Sequence, residues 1–299
     1  MRGCVLSTDR RRTVLRGVGA AGLLAALGFL TAAPAAWAGP NSGKVAFSVG
    51  SDITTAYFFR GILQERNGFI WQPYGEINVN AYSTDEEHAI VTGITPFVGS
   101  WNSVHSKDTL GTNAVENWYE SDVYAGVKFN LFNTVEMKPF YIAYTYPNGA
   151  FPTVGEADLQ FTLFDAQWLD KWALNPSVLF AWEFDNTAFG TNEGTYAQVS
   201  VRPSYTIYES ETYPVTMAIP LNLGLSVSEY YETDTRNPAF GFFQGGAIFT
   251  VPLAFVPEDY GAWSVSAGAS LYAFGTTTKQ ANDNDTPWVV GTWSLNFAY

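Results

Sequence analysis

The sequence is poor in three things: cysteine, histidine and charge. Cys4 is its single cysteine, His88 and His105 its two histidines, and Asp, Glu, Lys and Arg together make up 14% of 299 residues. An average soluble chain carries about a quarter of its residues as charges. Each shortage excludes something. Beyond residue 4 the chain can form no disulfide and no cysteine-based metal site. Two histidines leave few ways to assemble a His-dependent hydrolytic centre, and neither G-x-S-x-G nor H-E-x-x-H occurs. No amphipathic helical period is found from Lys44 onward. The charge-free run at 237–257, "NPAFGFFQGGAIFTVPLAFVP", has the length of a spanning helix. Pro252 in its interior argues against one, and Gly245, Ala247, Phe249, Val251 and Leu253 alternate as in a strand. A large chain with so few charges cannot easily cover its surface against water alone.

Aromatics are abundant at 16%, with 10 Trp, 17 Tyr and 22 Phe. The first residues have a layout of their own. Arg2, Arg10, Arg11, Arg12 and Arg16 form a basic head, the apolar stretch "VGAAGLLAALGFLTAAP" follows, and "AWA" at 36–38 is a small-x-small cleavage signature. This reads as a secretory signal peptide cut after Ala38, so residues 1–38 are removed and 39–299 form one domain. The competing reading is an uncleaved anchor, against which Pro34 and the small residues before Gly39 argue. "RRTVLR" at 11–16 also resembles a twin-arginine export signal, with Val14 where Phe is usual; an ordinary basic head is the preferred reading. After cleavage 10 basic residues face 27 acidic ones. So acidic an exported chain is a poor binder of nucleic acid or anionic lipid by charge.

The remainder alternates with period two. In 213–227, Tyr213, Val215, Met217, Ile219, Leu221, Leu223, Leu225 and Val227 share one face. Eight same-face positions occupy fifteen residues, about 45 Å if fully extended, against the usual strand of five or six residues. Twelve such segments are read near 45–60, 69–82, 88–101, 117–131, 135–146, 157–165, 176–186, 195–208, 212–228, 239–254, 261–274 and 286–299. Polar or Gly-rich loops follow the odd strands; mostly short turns follow the even ones. The exception, "DAQWLDKWALN", reads as a short interfacial helical turn with Trp168 and Trp172. Long alternating strands, uneven loops and many aromatics are the pattern of an all-β, transmembrane, antiparallel up-and-down β-barrel of about 12 strands. A bilayer offers no partners to backbone N–H and C=O groups, so strands cross it only when closed into a cylinder. A soluble β-sandwich would also alternate, but would not need the low charge or the strand length.

Alternation assigns faces. Apolar positions should meet lipid, with Tyr119 and Phe129 in two aromatic girdles. The pore-lining candidates are Asp52, Arg60, Glu76, Asn78, Asn80, Glu120, Asp122, Lys128, Asn130, Glu183, Asp185, Gln198 and Arg202. Such residues either coat a water-filled channel or pair and plug a narrow barrel; a narrow pore is the expectation, with a mild preference for cations. The alternatives are a plugged structural or adhesive barrel and a barrel enzyme acting on lipid. The enzyme is disfavoured because His88, in "TDEEHA", and His105, in the loop "NSVHSKD", fall at opposite ends of the barrel. Acidic loops such as "NDND" lack the spacing of a calcium loop, so no metal and no cofactor is expected. The last strand, "GTWSLNFAY", puts Trp293, Leu295, Phe297 and Tyr299 on one face. A final strand ending on an aromatic resembles the assembly signal of outer-membrane barrels. The expected partners are therefore outer-membrane lipid, the barrel-assembly machinery and small hydrophilic solutes, and the expected location is the cell outer membrane.

The segment Val45 to Val79, "VAFSVGSDITTAYFFRGILQERNGFIWQPYGEINV", resembles the opening of a family of outer-membrane porins called TorF-like. The resemblance rests on an alternating first strand, the aromatic-Arg-Gly run Phe59, Arg60 and Gly61, Gln64 before the next strand, and the acidic Asp52. It implies an outer-membrane channel without catalytic residues. The rest of the chain matches only in layout, with longer loops.

Overall fold

A computed structural model describes residues 43–86, 88–107, 117–190, 192–233 and 235–299. The signal-peptide reading over 1–38 lies outside the described residues, as does the middle of the third loop, 108–116.

The period-two segments form strands in the order β1 (Val45–Thr54), β2 (Tyr57–Phe59), β3 (Ile62–Glu65), β4 (Ile70–Val79), β5 (Tyr82–Ser83), β6 (Val91–His105), β7 (Trp118–Leu131), β8 (Val135–Thr145) and β9 (Val154–Leu163). After the short helix α1 (Ala166–Leu169) come β10 (Ser177–Asp185), β11 (Thr195–Val201), β12 (Ser204–Tyr208), β13 (Val215–Ala218), β14 (Leu221–Ser228), β15 (Phe240–Pro252) and β16 (Ala262–Phe274). The helix α2 (Thr276–Ala281) precedes β17 (Trp288–Ala298). Twelve staves pair antiparallel in the order β1, β4, β6, β7, β8, β9, β10, β11, β14, β15, β16, β17, and β17 returns to β1. The result is a closed, transmembrane-type β-barrel. Among the described residues no helix is long and apolar enough to cross a membrane.

Two staves are interrupted where proline removes a backbone donor. Pro203 separates β11 from β12, and Pro220 separates β13 from β14, side by side. The ladder resumes beyond them, with Ile219 N–H donating to the Pro203 carbonyl at 2.9 Å. The helical turn expected in "DAQWLDKWALN" is present at α1 and a 3-10 turn, Asp170–Trp172, with Trp168 and Trp172 both 62% exposed.

The two faces differ as lipid and lumen require. Val49, Ile53, Trp71, Ile77, Val123, Val199, Leu271 and Val289 are exposed outward. Between them Asp52, Gln72, Glu76, Asp122, Gln198, Ser200, Ser270 and Thr292 are buried inward. Of the charged residues on the twelve staves, only Asp185 is exposed. An apolar outer surface of this extent is unsuited to water, and each such side chain gains about 1.5–3 kcal/mol on moving into hydrocarbon. Inside, aromatic rings lie over cross-strand glycines: Tyr74 over Gly50 and Tyr124 over Gly99 leave no room for a Cβ there.

Strand ends differ from expectation in three places. The first strand stops at Thr54, not residue 60, because the chain turns inward. The third runs on to His105, so "NSVH" belongs to the wall and His105 faces the lumen, 3% exposed. Tyr119 is not a girdle residue. β7 carries one extra residue opposite Ser103 and Val104, and this bulge turns Tyr119 inward beside Glu120. Trp118, 48% exposed, takes the outward position.

Candidate functional site

The long-loop end of the barrel is crossed by its own first loop. β2 and β3 pair as a hairpin around the two-residue turn Arg60–Gly61. Both turn residues have positive φ, 46° and 81°, the geometry of the tight hairpin turns for which glycine is favoured. Tyr57, Phe58, Phe59, Arg60 and Leu63 are all buried. "YFFRGIL" is thus part of a packed core inside the cylinder, and not a strand end followed by an exposed loop.

Each side of the hairpin meets a different part of the wall. Phe58 stacks on Tyr272 at 4.9 Å, beside Phe274 and Trp288. Tyr57 packs on Trp101 at 5.3 Å and donates its hydroxyl to Glu120 at 2.7 Å. The later loops clamp it. Asn282, just after α2, accepts from Leu63 N–H at 2.8 Å and donates to the Gly61 carbonyl at 2.8 Å, so its amide acts as a short piece of strand. Tyr231 donates to the Arg60 carbonyl at 2.9 Å.

The tip ends in a cage. Arg60 donates from Nη1 and Nη2 to the two oxygens of Glu156, at 2.7 and 2.5 Å, and both side chains are 0% exposed. This is the bidentate arrangement that makes Arg–carboxylate pairs strong and directional. Nη1 also donates to Tyr230 Oη at 3.1 Å and Nη2 to Tyr144 Oη at 3.2 Å. The guanidinium carbon lies 4.2 Å from the Tyr196 ring centroid, 5.1 Å from Phe59 and 5.2 Å from Tyr230, within cation–π range.

Below the hairpin the wall remains charged. Lys128 bonds Glu76 at 2.6 Å and Asn78 at 2.7 Å. Lys138, fully buried, lies over Phe97 and Phe140 at 4.6 and 5.0 Å, among Glu76, Glu136 and Asp158. The opposite staves, β14 to β17, present Asn222, Gln244, Ser264, Ser266, Ser294 and Asn296 inward. One wall is therefore ionic and the facing wall carries amides and hydroxyls. On the wall and at the hairpin tip, Asp52, Glu76, Glu120, Asp122, Glu136, Glu156, Asp158 and Glu183 accompany four basic residues, Arg60, Lys128, Lys138 and Arg202.

The candidate lumen residues divide accordingly. Asp52, Glu76, Glu120, Asp122, Lys128 and Gln198 are buried on the inner wall, and Asn78, Asn80, Asn130 and Arg202 are half-buried. Arg60 is inside the barrel, but on the hairpin tip and not on a stave. Glu183 anchors its own loop, accepting from the backbone N–H groups of Ala188 and Gly194 at 2.7 and 2.8 Å. Asp185 corrects the expectation: a register shift between Glu183 and Asp185 leaves it exposed at the strand end. Trp293 and Leu295 face outward, 53% and 43% exposed. Tyr299 closes the seam: its carbonyl accepts from Phe47 N–H at 2.7 Å and its N–H donates back at 2.9 Å.

Glu156, Tyr144, Tyr196, Tyr230, Lys138 and Asp158 were not among the sequence candidates. β8 carries apolar residues on both faces, which blurs its alternation, and Glu156 precedes the expected start of its strand at 157. The period-two series Glu156, Asp158, Gln160 was the available signal.

His88 is exposed in the turn before β6. His105 shares a 2.8 Å hydrogen bond with Ser103 Oγ and stacks on Tyr119 at 4.4 Å. Ser103 is 0% exposed beneath the hairpin and also accepts from Gln72 Nε2 at 3.3 Å.

No family model matches the chain, and no curated protein sequence matches it. Several solved structures are similar in fold. An outer membrane channel from Pseudomonas putida F1 is 12% identical, covering 89% of this chain and 99% of its own, with a TM-score of 0.49. The NanC porin is 10% identical, covering 84% and 98%, at 0.41. The transport unit of the autotransporter AIDA-I from Escherichia coli is 12% identical, covering 91% and 93%, at 0.42. Likeness of this degree leaves solute, partner and mechanism to be argued from the chain's own residues. Those residues define the class: an all-β, twelve-stranded transmembrane barrel with an ionic lumen and an in-folded first loop.

Proposed function

We propose that this protein is an outer-membrane channel for small hydrophilic solutes, mildly preferring cations, whose outer mouth is closed by its own first loop. The observation that carries the reading is the inner wall. A barrel kept only for structure would pair its buried charges, because an unpaired buried charge costs several kcal/mol. Here Asp122 Oδ1, Glu136 Oε1, Asp158 Oδ1, Lys138 Nζ and Arg202 Nη1 are buried without a hydrogen-bond partner among the described residues. They are closed off from solvent with the hairpin docked, and water or ions would partner them once the mouth opens. Eight acidic residues against four basic ones favour cations in transit. Diffusion through the lumen needs no chemistry, and the resemblance of Val45–Val79 to TorF-like porins supports the same reading. In that resemblance the aromatic-Arg-Gly run is the hairpin tip.

The hairpin itself favours a second reading, a permanently plugged barrel that binds partners through its outer loops. Planar-bilayer recordings separate the two. The channel reading expects conductance steps, and in a salt gradient a reversal potential of the sign set by cation preference. It expects larger or more frequent steps when residues 56–66 are replaced by a short Gly-Ser turn. Silence from both forms sinks the channel reading. A Glu136→Gln/Asp158→Asn variant should move the reversal potential toward zero.

A further inference from the structure

The Arg60 cage is a guanidinium receptor whose hydrogen-bonding groups do not come from the hairpin, which adds only the Phe59 ring. Glu156 is on β9, Tyr144 on β8, Tyr196 on β11, and Tyr230 in the loop after β14. Together they supply a bidentate carboxylate, two phenolic oxygens and an aromatic face at 4.2 Å. Tyr144 also donates to Glu156 Oε1 at 3.0 Å, which holds the carboxylate in place. Recognition is confined to the edge bearing the two terminal nitrogens. The third nitrogen, Arg60 Nε, has no hydrogen-bond partner among the described residues. A free guanidinium head carries the same edge and would lose nothing in the cage for lacking the rest of Arg60.

The cage also adjoins more carboxyl groups than its occupant uses. Asp158 lies beside Glu156, and Asp122 interacts electrostatically with both Glu156 and Arg60. One oxygen on each of Asp122 and Asp158 is buried without a hydrogen-bond partner among the described residues. A single arginine held only as a structural pin would need one carboxylate. The extra carboxyls leave hydrogen-bond acceptors beside the cage that Arg60 does not use.

We infer that the cage is a recognition site for the guanidinium group of a solute, and that Arg60 is a tethered stand-in with which an arriving solute competes. When a solute guanidinium takes Glu156, the hairpin loses its pin and the mouth opens to that class of cargo. The inference rests on the channel reading for the word solute alone, because occupancy of the cage is measured without conductance.

Methylguanidine is the probe, with the protein folded in detergent and its unfolding midpoint read by heat-modifiable mobility. Arg60→Ala lowers the midpoint, and millimolar methylguanidine recovers part of the loss. It does not do so in Arg60→Ala/Glu156→Gln, and methylammonium at equal concentration does not replace it. No recovery in Arg60→Ala, or equal recovery in the double variant, overturns the inference. If Arg60→Ala does not assemble, the competition is read with Arg60 in place. Cys4 is the sole cysteine of the sequence, so a Leu63→Cys variant in a Cys4→Ser background carries one buried thiol on the hairpin. Methylguanidine should speed its maleimide labelling several-fold, while methylammonium leaves the rate unchanged; equal rates with both overturn the inference. A positive binding result in a barrel that never conducts would sink the channel and leave the cage.

Discussion

Glu156→Gln tests what holds the mouth closed. The substitution keeps the shape of the side chain and removes its charge. In the native protein the carboxylate receives two charge-assisted hydrogen bonds from Arg60, at 2.7 and 2.5 Å. Two unit charges about 4 Å apart attract by about 4 kcal/mol at an effective dielectric of about 20. Part of that attraction is offset by the desolvation of both ions. Hydrogen bonds to charged groups contribute about 1.5–3 kcal/mol each. Gln keeps one acceptor oxygen and turns its NH2 toward the other Arg60 donor, so one of the two bonds is lost and the change removes about 2–3 kcal/mol. Asp122 and Asp158 remain near Arg60 and favour the lower figure, about 2 kcal/mol. At about 1.4 kcal/mol per factor of ten, the ratio of released to docked hairpin rises by about 30-fold. Single-channel recording reads this as open probability, and labelling of a Leu63→Cys thiol reads it as exposure. Equal open probability and equal labelling in the native and Glu156→Gln proteins would refute the view that this ion pair holds the hairpin.

Three further outcomes are expected. Gly61→Ala places a Cβ 2.8 Å from Phe242 at a φ of 81°, so it should destabilise hairpin docking by about 1–2 kcal/mol and lower the heat-modification midpoint. Deleting Tyr299 removes both hydrogen bonds that its backbone makes to Phe47 across the seam; the yield of heat-modifiable barrel should fall, while conductance per folded molecule stays unchanged. Ser103→Ala should leave folding and conductance near native, and a serine-directed fluorophosphonate should not label the native protein, because Ser103 is 0% exposed; stoichiometric labelling at Ser103 would revive the enzyme alternative.

The cylinder was legible in the chain because alternation is a local property. Each residue of a stave meets hydrocarbon or lumen according to parity alone, so Val199 faces out and Gln198 faces in wherever the strand lies. Twelve segments, their uneven connections and eight of the twelve inward charges followed from that rule; Glu136, Lys138, Glu156 and Asp158 did not. The rule failed where the backbone broke parity. Tyr119 was turned by a bulge, Asp185 by a register shift, and Glu156 was missed at a strand start. It also says nothing about a loop. "YFFRGIL" satisfies strand alternation as well as hairpin geometry, and local sequence does not distinguish a wall from a plug.

Tertiary structure decided that question through partners remote in the chain. Glu156 lies 96 residues from Arg60, Tyr230 lies 170, and the Asn282 that caps the hairpin lies 221 from Gly61. Closing the seam between β17 and β1 brings these groups to one mouth. Parity in the sequence determined the barrel; only closure of the barrel determined that Arg60 would find a carboxylate, since a buried guanidinium is stable only where folding has already placed its counter-charge.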